Sequence, residues 1–432
     1  MNDRFPLASR LLRWSSFLLL LLMPFSFSRP LGDPAAPRVL PIYAAPGLEP
    51  SDLGVFALLL SFALVVAAHP KSARRYVGPR AILSPLLGLP ILAFLTAPWA
   101  VAPSFALYSA LRWLLTALVY VALVRPEVPF ARGLLVFALG IVAQTLLGIA
   151  QVVTQGPLGL PGELALEPAL SGAAILSVGG TRWLRAYGMT FHPNILGGYI
   201  AVGLMVTLPL LRGRLTWLLW WLLGVGLLLS FSRAAMLALL LVLPFVAGWM
   251  FWGNPALRRP LAIALGGALV AVLLASLPLA GQIVTRLRPS ATWTEARSLD
   301  ERGDLLGVAL TFIAERPLTG VGAGNFAVAI AEMRIPELPQ PVHNVLFLLA
   351  AEIGLLGGML WLLLWLTPSI MAGGLLARPD PWLLAGLGAW LVLGIISLWD
   401  SYPWAFNAGR LLTVAVLAWY VKARNEVMSD EY

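Results

Sequence analysis

Residues 215–252 read LTWLLWWLLGVGLLLSFSRAAMLALLLVLPFVAGWMFW, and Arg233 is the one charged residue among these 38 positions. A crossing of a hydrocarbon core roughly 30 Å thick takes about 20 largely apolar residues. The stretch is therefore long enough to cross twice, through 215–231 and back through 233–252, with the reversal at Ser230-Phe231-Ser232-Arg233. Two apolar spans joined by almost no loop imply an all-α polytopic membrane protein, because a helix satisfies its own backbone donors and acceptors inside the bilayer.

The rest of the chain follows the same pattern. Hydrophobic residues make up 59% and charged residues 11% of the 432, with a mean hydropathy of +0.86, whereas about 25% of a soluble domain is charged. Further apolar segments lie at 11–28, 51–69, 82–98, 103–124, 132–153, 189–211, 260–278, 344–376, 381–399 and 405–422. About twelve transmembrane helices are expected, in a single transmembrane domain covering 1–432. Arg4, Arg10 and Arg13 ahead of Leu18–Met23 resemble a signal peptide, but no small-x-small cleavage site follows closely, so a signal anchor is expected. The 344–376 segment is long for one crossing and is expected to tilt, project, or break near Gly357-Gly358 or Pro368.

The formal charge of +9 invites a nucleic-acid reading, and its distribution argues against one. Basic residues crowd alternate short connectors: Lys71, Arg74, Arg75 and Arg80, then Arg125 and Arg132, Arg212 and Arg214, Arg258 and Arg259, and Arg378. Such a bias marks cytoplasmic loops. It places both termini in the cytoplasm and the long segments 29–50, 154–188 and 279–343 outside. No nucleic-acid partner is needed to explain the basicity. Cysteine is absent, which removes disulfides and thiolate chemistry together.

The segment 281–343, between the ninth and tenth spans, is the most polar part of the chain, with charges from Arg286 to Glu337, and ends in Pro341-Val342-His343. Ser298-Leu299-Asp300-Glu301 has the form of a capping box and predicts a helix over about 299–315. Leu305, Leu306, Ala309, Phe312 and Ile313 recur at helical spacing, and Pro317 ends the pattern. Arg302 and Arg316 fall on the same stripe, so the amphipathic helix is expected to lie on the membrane or over a cavity with both arginines directed inward.

Several polar residues converge on the outer face. His343 stands just ahead of the tenth span with Asn344 placed to cap it, and a neutral imidazole there could take a proton from an incoming hydroxyl. Arg233 opens a helix, where a cation opposes the macrodipole unless an anion shares the site or the side chain snorkels to lipid phosphate. Arg185 and His192 approach the sixth span, His192 as a candidate cap before Pro193, with Asn194 following. Intramembrane charges are costly and default to functional candidates: Glu352 and Arg410 are expected to form an ion pair, and Arg112 sits mid-span. Gly320-Val321-Gly322-Ala323-Gly324-Asn325 offers a weak phosphate-cradle signal. No His, Asp or Glu cluster has metal-ligand spacing, so metal-free and cofactor-free acid–base chemistry assisted by arginines is expected. Its natural substrate is a lipid-linked phosphate or pyrophosphate.

These residues resemble the O-antigen ligase and polymerase superfamily of bacterial membrane glycosyltransferases. The matching pieces are Arg185-x-x-Gly188 with His192-Pro193-Asn194, Ser232-Arg233-Ala234, and Arg302 before a helix ending in Arg316-Pro317-Leu318-x-Gly320-Val321-Gly322-x-Gly324-x-Phe326. His343-Asn344 and Glu352-x-Gly354-x-x-Gly357 follow. The resemblance implies transfer of a glycan from undecaprenyl pyrophosphate, with His343 as base, inversion at the anomeric carbon, and Arg185, Arg233 and Arg302 holding the pyrophosphate. His192, Asn194, Arg316, Asn344, Glu352 and Arg410 would support them. The acceptor implied is lipid A core for a ligase, a growing glycan for a polysaccharide polymerase, or a protein hydroxyl for an O-oligosaccharyltransferase. The reading from another class is a transporter of a lipid-linked or anionic solute, which inverted repeats would favour; none is visible.

Overall fold

The computed structural model describes residues 6–36, 38–68, 77–166, 173–287, 293–333, 339–373 and 380–429. Arg4, Lys71, Arg74, Arg75, Arg288, Arg334, Glu337 and Arg378 lie outside the described residues. Sixteen helices of seven residues or more organise the described residues. They are α1 Pro6–Leu22, α2 Pro50–Ala68, α3 Arg80–Thr96, α4 Pro103–Leu123, α5 Phe130–Thr154, α6 Pro193–Val206, α7 Arg214–Ser230, α8 Arg233–Gly253 and α9 Pro255–Ser276, then α10 Ala280–Leu287, α11 Trp293–Glu315, α12 Phe326–Glu332, α13 Val345–Ile353, α14 Leu355–Ala372, α15 Pro381–Trp399 and α16 Asn407–Ser429.

Each apolar segment read from the sequence falls on a helix. Among the described residues eight helices are long and apolar enough to cross a membrane: α2, α3 with the turn that extends it to Trp99, α4, α5, α8, α9 with its continuation to Arg286, α14 and α15. The helices α6 and α7 are apolar but shorter. The protein is an all-α multi-pass membrane protein. Its first helix buries Leu12, Leu19 and Leu20 in the main core, and a Cβ on Gly54 of α2 would meet the Leu19 backbone at 2.5 Å. Small residues at such contacts let helix backbones approach, since lipid tails supply no hydrophobic drive between helices.

Two central helices position the polar end of the bundle. All 14 residues of α6 are buried, as are Leu411 to Val421 of α16; a helix apolar on every side belongs inside. At the start of α6, a Cβ on Gly197 would lie 2.6 Å from the Ser232 Cβ, and one on Gly198 would overlap the Tyr402 hydroxyl. Glycine there draws the Ser230–Arg233 turn and Tyr402 against the first turn of α6.

Three local expectations change. The polar-segment helix α11 begins at Trp293, so Ser298 falls inside it and does not cap it; Glu295, Ala296 and Arg297 are good helix formers and carry the helix past the capping pattern. The stripe Leu305, Ala309 and Phe312 packs on Val321, Phe326, Ile330, Val342 and Leu348, so this face of the helix rests on the protein's own apolar residues. The long 344–376 segment breaks at Gly354, with φ +82°, not at Gly357-Gly358 or Pro368. The turn after α11 inserts there: Val321 and Gly322 donate to the carbonyls of Ala351 and Glu352 at 2.9 and 2.7 Å, and Leu355 donates to Pro317 O at 2.8 Å. Two short antiparallel hairpins, absent from the sequence reading, complete this end: β1 Arg29–Pro30 with β2 Gly47–Leu48, and β3 Ile175–Val178 with β4 Thr181–Leu184. Gly179 and Gly180, both at positive φ, make the second turn, as tight hairpins require.

Candidate functional site

The turn between α7 and α8 is built to present Arg233. Phe231 adopts φ +47°, Ser232 Oγ accepts from Ala235 N at 3.4 Å, and Arg233 becomes the first residue of α8. From α10, Arg286 Nε donates to Phe231 O at 3.2 Å. From α11, one turn before the buried Leu305, comes Arg302, whose Nε is buried without a hydrogen-bond partner among the described residues. Arg233, Arg286 and Arg302 line one pocket of about 240 Å³ together with Asn194 and Trp399. With three guanidinium groups and no acid among its described lining residues, the pocket suits an anion by charge.

Two expected members of this group stand elsewhere. Arg185 is buried behind the pocket, donating to Ser230 O at 2.8 Å and Asn194 Oδ1 at 2.7 Å, so it fixes the wall and does not line it. Arg316 is exposed, its Nη1 on the Trp99 carbonyl at 3.4 Å, because the three residues beyond Ile313 carry the helix end past the packed stripe. Arg286, which the sequence reading did not single out, is among the described lining residues, and Arg185 is not.

Beside the arginine pocket lies a cleft lined by His343, His192, Asn194, Tyr43, Asp400 and Phe406 among others. Asn344 starts α13, its Oδ1 accepting from Phe347 N at 3.2 Å and its Nδ2 donating to Leu398 O at 3.1 Å. That bond ties the start of α13 to the end of α15 and sets His343 against Asp400. His343 Nδ1 is 3.9 Å from Asp400 Oδ1. The other carboxylate oxygen accepts from Asn194 Nδ2 at 2.7 Å, and Asn194 Oδ1 is held in turn by Arg185. A relay of four side chains, Arg185, Asn194, Asp400 and His343, thus joins the two pockets. Burial alone would push the Asp400 carboxyl up; the facing His343, then His192 and the Asn194 amide, outweigh it and hold the group well below the usual carboxylate range. His192 caps α6 as expected, its Nδ1 accepting from Asn194 N at 3.1 Å. Burial first and Arg185 second pull its pKa down to about 3, so it stays neutral. Asp400 escaped the sequence reading; the available signal was a lone acid bordering the 381–399 span.

The intramembrane charges pair differently from expectation. Glu352 does not bridge to Arg410: its carboxylate accepts from Gly324 N at 2.9 Å and Phe326 N at 3.3 Å, while Arg410 Nη1 donates to the carbonyls of Trp404 and Ala405 at 2.8 and 3.0 Å. The anion seated on the glycine turn is therefore Glu352 itself, and the turn's amides are not free to cradle phosphate. Arg112, unexplained by sequence, forms a buried 2.7 Å ion pair with Asp52.

The helical membrane bundle thus carries an arginine pocket beside a histidine–carboxylate cleft at one end. Residues 218–362 match the family model for O-antigen ligase, Wzy_C. Over that segment the chain is similar to the O-antigen ligase family, and the similarity points to membrane glycosyl transfer. The matched segment holds Arg233, Arg286, Arg302 and His343, whereas Arg185, His192, Asn194 and Asp400 reach the site from outside it. No curated protein matches the chain.

Proposed function

We propose that this protein transfers a glycan from an undecaprenyl-pyrophosphate carrier to an acceptor hydroxyl at the extracytoplasmic face of the cytoplasmic membrane. In this reading it crosses twelve times, with both termini cytoplasmic and 281–343 outside. The observation that carries the proposal is Asn194, which lines the arginine pocket and the histidine cleft at once. That shared wall supports a reading with an anionic leaving group on one side and a general base on the other.

The chemistry follows from that placement. The pyrophosphate sits among Arg233, Arg286 and Arg302, with the anomeric carbon toward Asn194. His343, with Nδ1 turned to Asp400, uses Nε2 to accept the proton of an acceptor hydroxyl as its oxygen attacks that carbon. The bond from the carbon to phosphate oxygen breaks, the electron pair leaves with the pyrophosphate, and the arginines stabilise the charge that develops. Attack opposite the leaving group inverts the anomeric centre, and Asp400 stabilises the imidazolium that forms. The acceptor class, lipid A core, growing glycan or protein hydroxyl, is set by groups beyond this shared machinery.

Purified protein in nanodiscs, given undecaprenyl-pyrophosphate-linked glycan and each acceptor class in turn, tests the reading. Wild type should release undecaprenyl pyrophosphate with one acceptor class, and His343→Ala should abolish transfer while retaining donor binding. Full activity in that variant would refute the base assignment.

A further inference from the structure

On its far side the histidine cleft shares a wall with a second cavity. Tyr43, Pro341 and Phe406 line both spaces, whereas no residue of the arginine pocket lines the second cavity. Its polar wall comes from Glu49, Tyr108, Arg112, Glu352, Asn407 and Arg410. Two of these belong to α4, two to the segment starting α16, and one to the strap between β1 and α2. That strap is tied down by Tyr108, whose hydroxyl donates to Gly47 O at 3.0 Å and accepts from Gly47 N at 3.1 Å.

Charge distinguishes this cavity from the arginine pocket. Two arginines and two carboxylates are among its described lining residues, against three arginines and no acid among the described lining residues of the other, so it has no net attraction for a second phosphate. Part of the polar wall is unoccupied by protein partners. Arg410 is buried, and its Nε has no hydrogen-bond partner among the described residues. Glu49 uses Oε2 on Asn407 Nδ2 and Ser51 Oγ, at 3.3 and 3.5 Å. The aromatic rings of Tyr43 and Phe406, 5.6 Å apart, form the wall next to His343. Carboxylate acceptors, guanidinium donors and aromatic faces in one space match a ring that is hydroxylated at its edge and apolar on its face. Buried polar groups left without partners are costly, and intramembrane charges mark functional sites.

We propose that this cavity is the acceptor site and takes an uncharged, polyhydroxylated pyranose ring, one hydroxyl of which passes Tyr43 and Phe406 to reach His343. The proposal rests on the glycosyl-transfer reading, and it assigns donor and acceptor to opposite sides of the histidine. It also gives the strap from residue 28 to 49 a function as the cavity's wall.

The test is binding, independent of turnover. Full-length protein in nanodiscs is titrated with methyl glucoside, methyl galactoside and inorganic pyrophosphate, each followed by saturation-transfer NMR or calorimetry. At least one neutral glycoside should bind saturably and survive excess pyrophosphate. Its affinity should fall about 10-fold in Glu49→Gln, the loss of one charge-assisted hydrogen bond, and also fall in Tyr43→Leu, while Arg233→Ala leaves it intact and weakens pyrophosphate. Absence of saturable glycoside binding, displacement by pyrophosphate, or unchanged affinity in both Glu49→Gln and Tyr43→Leu overturns the proposal. If glycoside binds as expected but no lipid-linked donor is turned over, the glycosyl-transfer reading fails and the sugar site stands.

Discussion

Replacing Asp400 by asparagine removes one charge and little else. The asparagine carbonyl can still accept from Asn194 Nδ2, which now stands 2.7 Å from the carboxylate, so Arg185 and the wall of the arginine pocket keep their places. What is lost is the anion 3.9 Å from His343 Nδ1. A unit charge pair at that separation interacts by about 4 kcal/mol at an effective dielectric of 20. The His343 side chain is 25% exposed, and solvent screening brings the term nearer to about 2 kcal/mol. Since the imidazolium exists only once the proton has moved, the loss falls on the transition state, and kcat should drop about 30-fold to 1000-fold. Donor KM should change less than about threefold, because uniform donor binding is untouched. Asp400→Ala is the contrast: it strips Asn194 of its acceptor as well, so donor KM should rise together with the loss in kcat. Initial rates of undecaprenyl pyrophosphate release, measured across donor concentration for wild type and both variants, separate the two effects. An Asn variant with kcat within threefold of wild type would refute the claim that Asp400 stabilises the charged histidine.

Arg302→Ala should weaken binding of undecaprenyl pyrophosphate about 10-fold to 100-fold, the range for hydrogen bonds to charged groups, while Arg316→Ala should change it less than twofold; equal effects in a titration would contradict the placement of the two side chains. His192 has a folded pKa of about 3, below its unfolded value near 6.5, so the unfolded chain takes up a proton first and stability falls as pH drops from about 6.5 toward 3. His192→Asn keeps a capping side chain and should be about 2 kcal/mol more stable than wild type at pH 5 yet nearly equal at pH 7, which thermal melts in detergent at the two pH values would reveal. Asp52→Ala leaves the Arg112 guanidinium buried and unpaired, at a cost of about 3–5 kcal/mol, and the double replacement Asp52→Leu with Arg112→Met should recover most of it. A single variant that melts with wild type would show that the pair carries little stability.

The class of protein was legible along the chain because its signal is local: a run such as 215–231 declares a membrane helix whatever surrounds it. The arginine at 233, the caps at His192 and Asn344, and the histidine at 343 were legible for the same reason, each beside a helix start marked by Ser, Pro or Asn. Arg302 was found by its place on an apolar stripe. Pairings between distant segments were not. Nothing near Glu352 in sequence says that its carboxylate serves the amides of Gly324 and Phe326 rather than Arg410, and nothing near Arg112 points to Asp52. Arg185 and Arg286 show the limit most plainly, since both are arginines in polar segments next to apolar ones and only packing decides which one faces the pocket.

By itself, then, the sequence determined the helical membrane architecture, the polar segment and the residue types available for chemistry, since hydropathy and capping act within a few turns of one helix. Only the tertiary structure decided which of those residues meet. Asp400 reaches His343 through the bond from Asn344 to the end of α15, and Asn194 stands between two pockets because glycines let α6 approach Ser232 and Tyr402. Contacts of that kind depend on close packing among helices far apart in the chain, where a single Cβ or a single hydrogen bond sets the geometry.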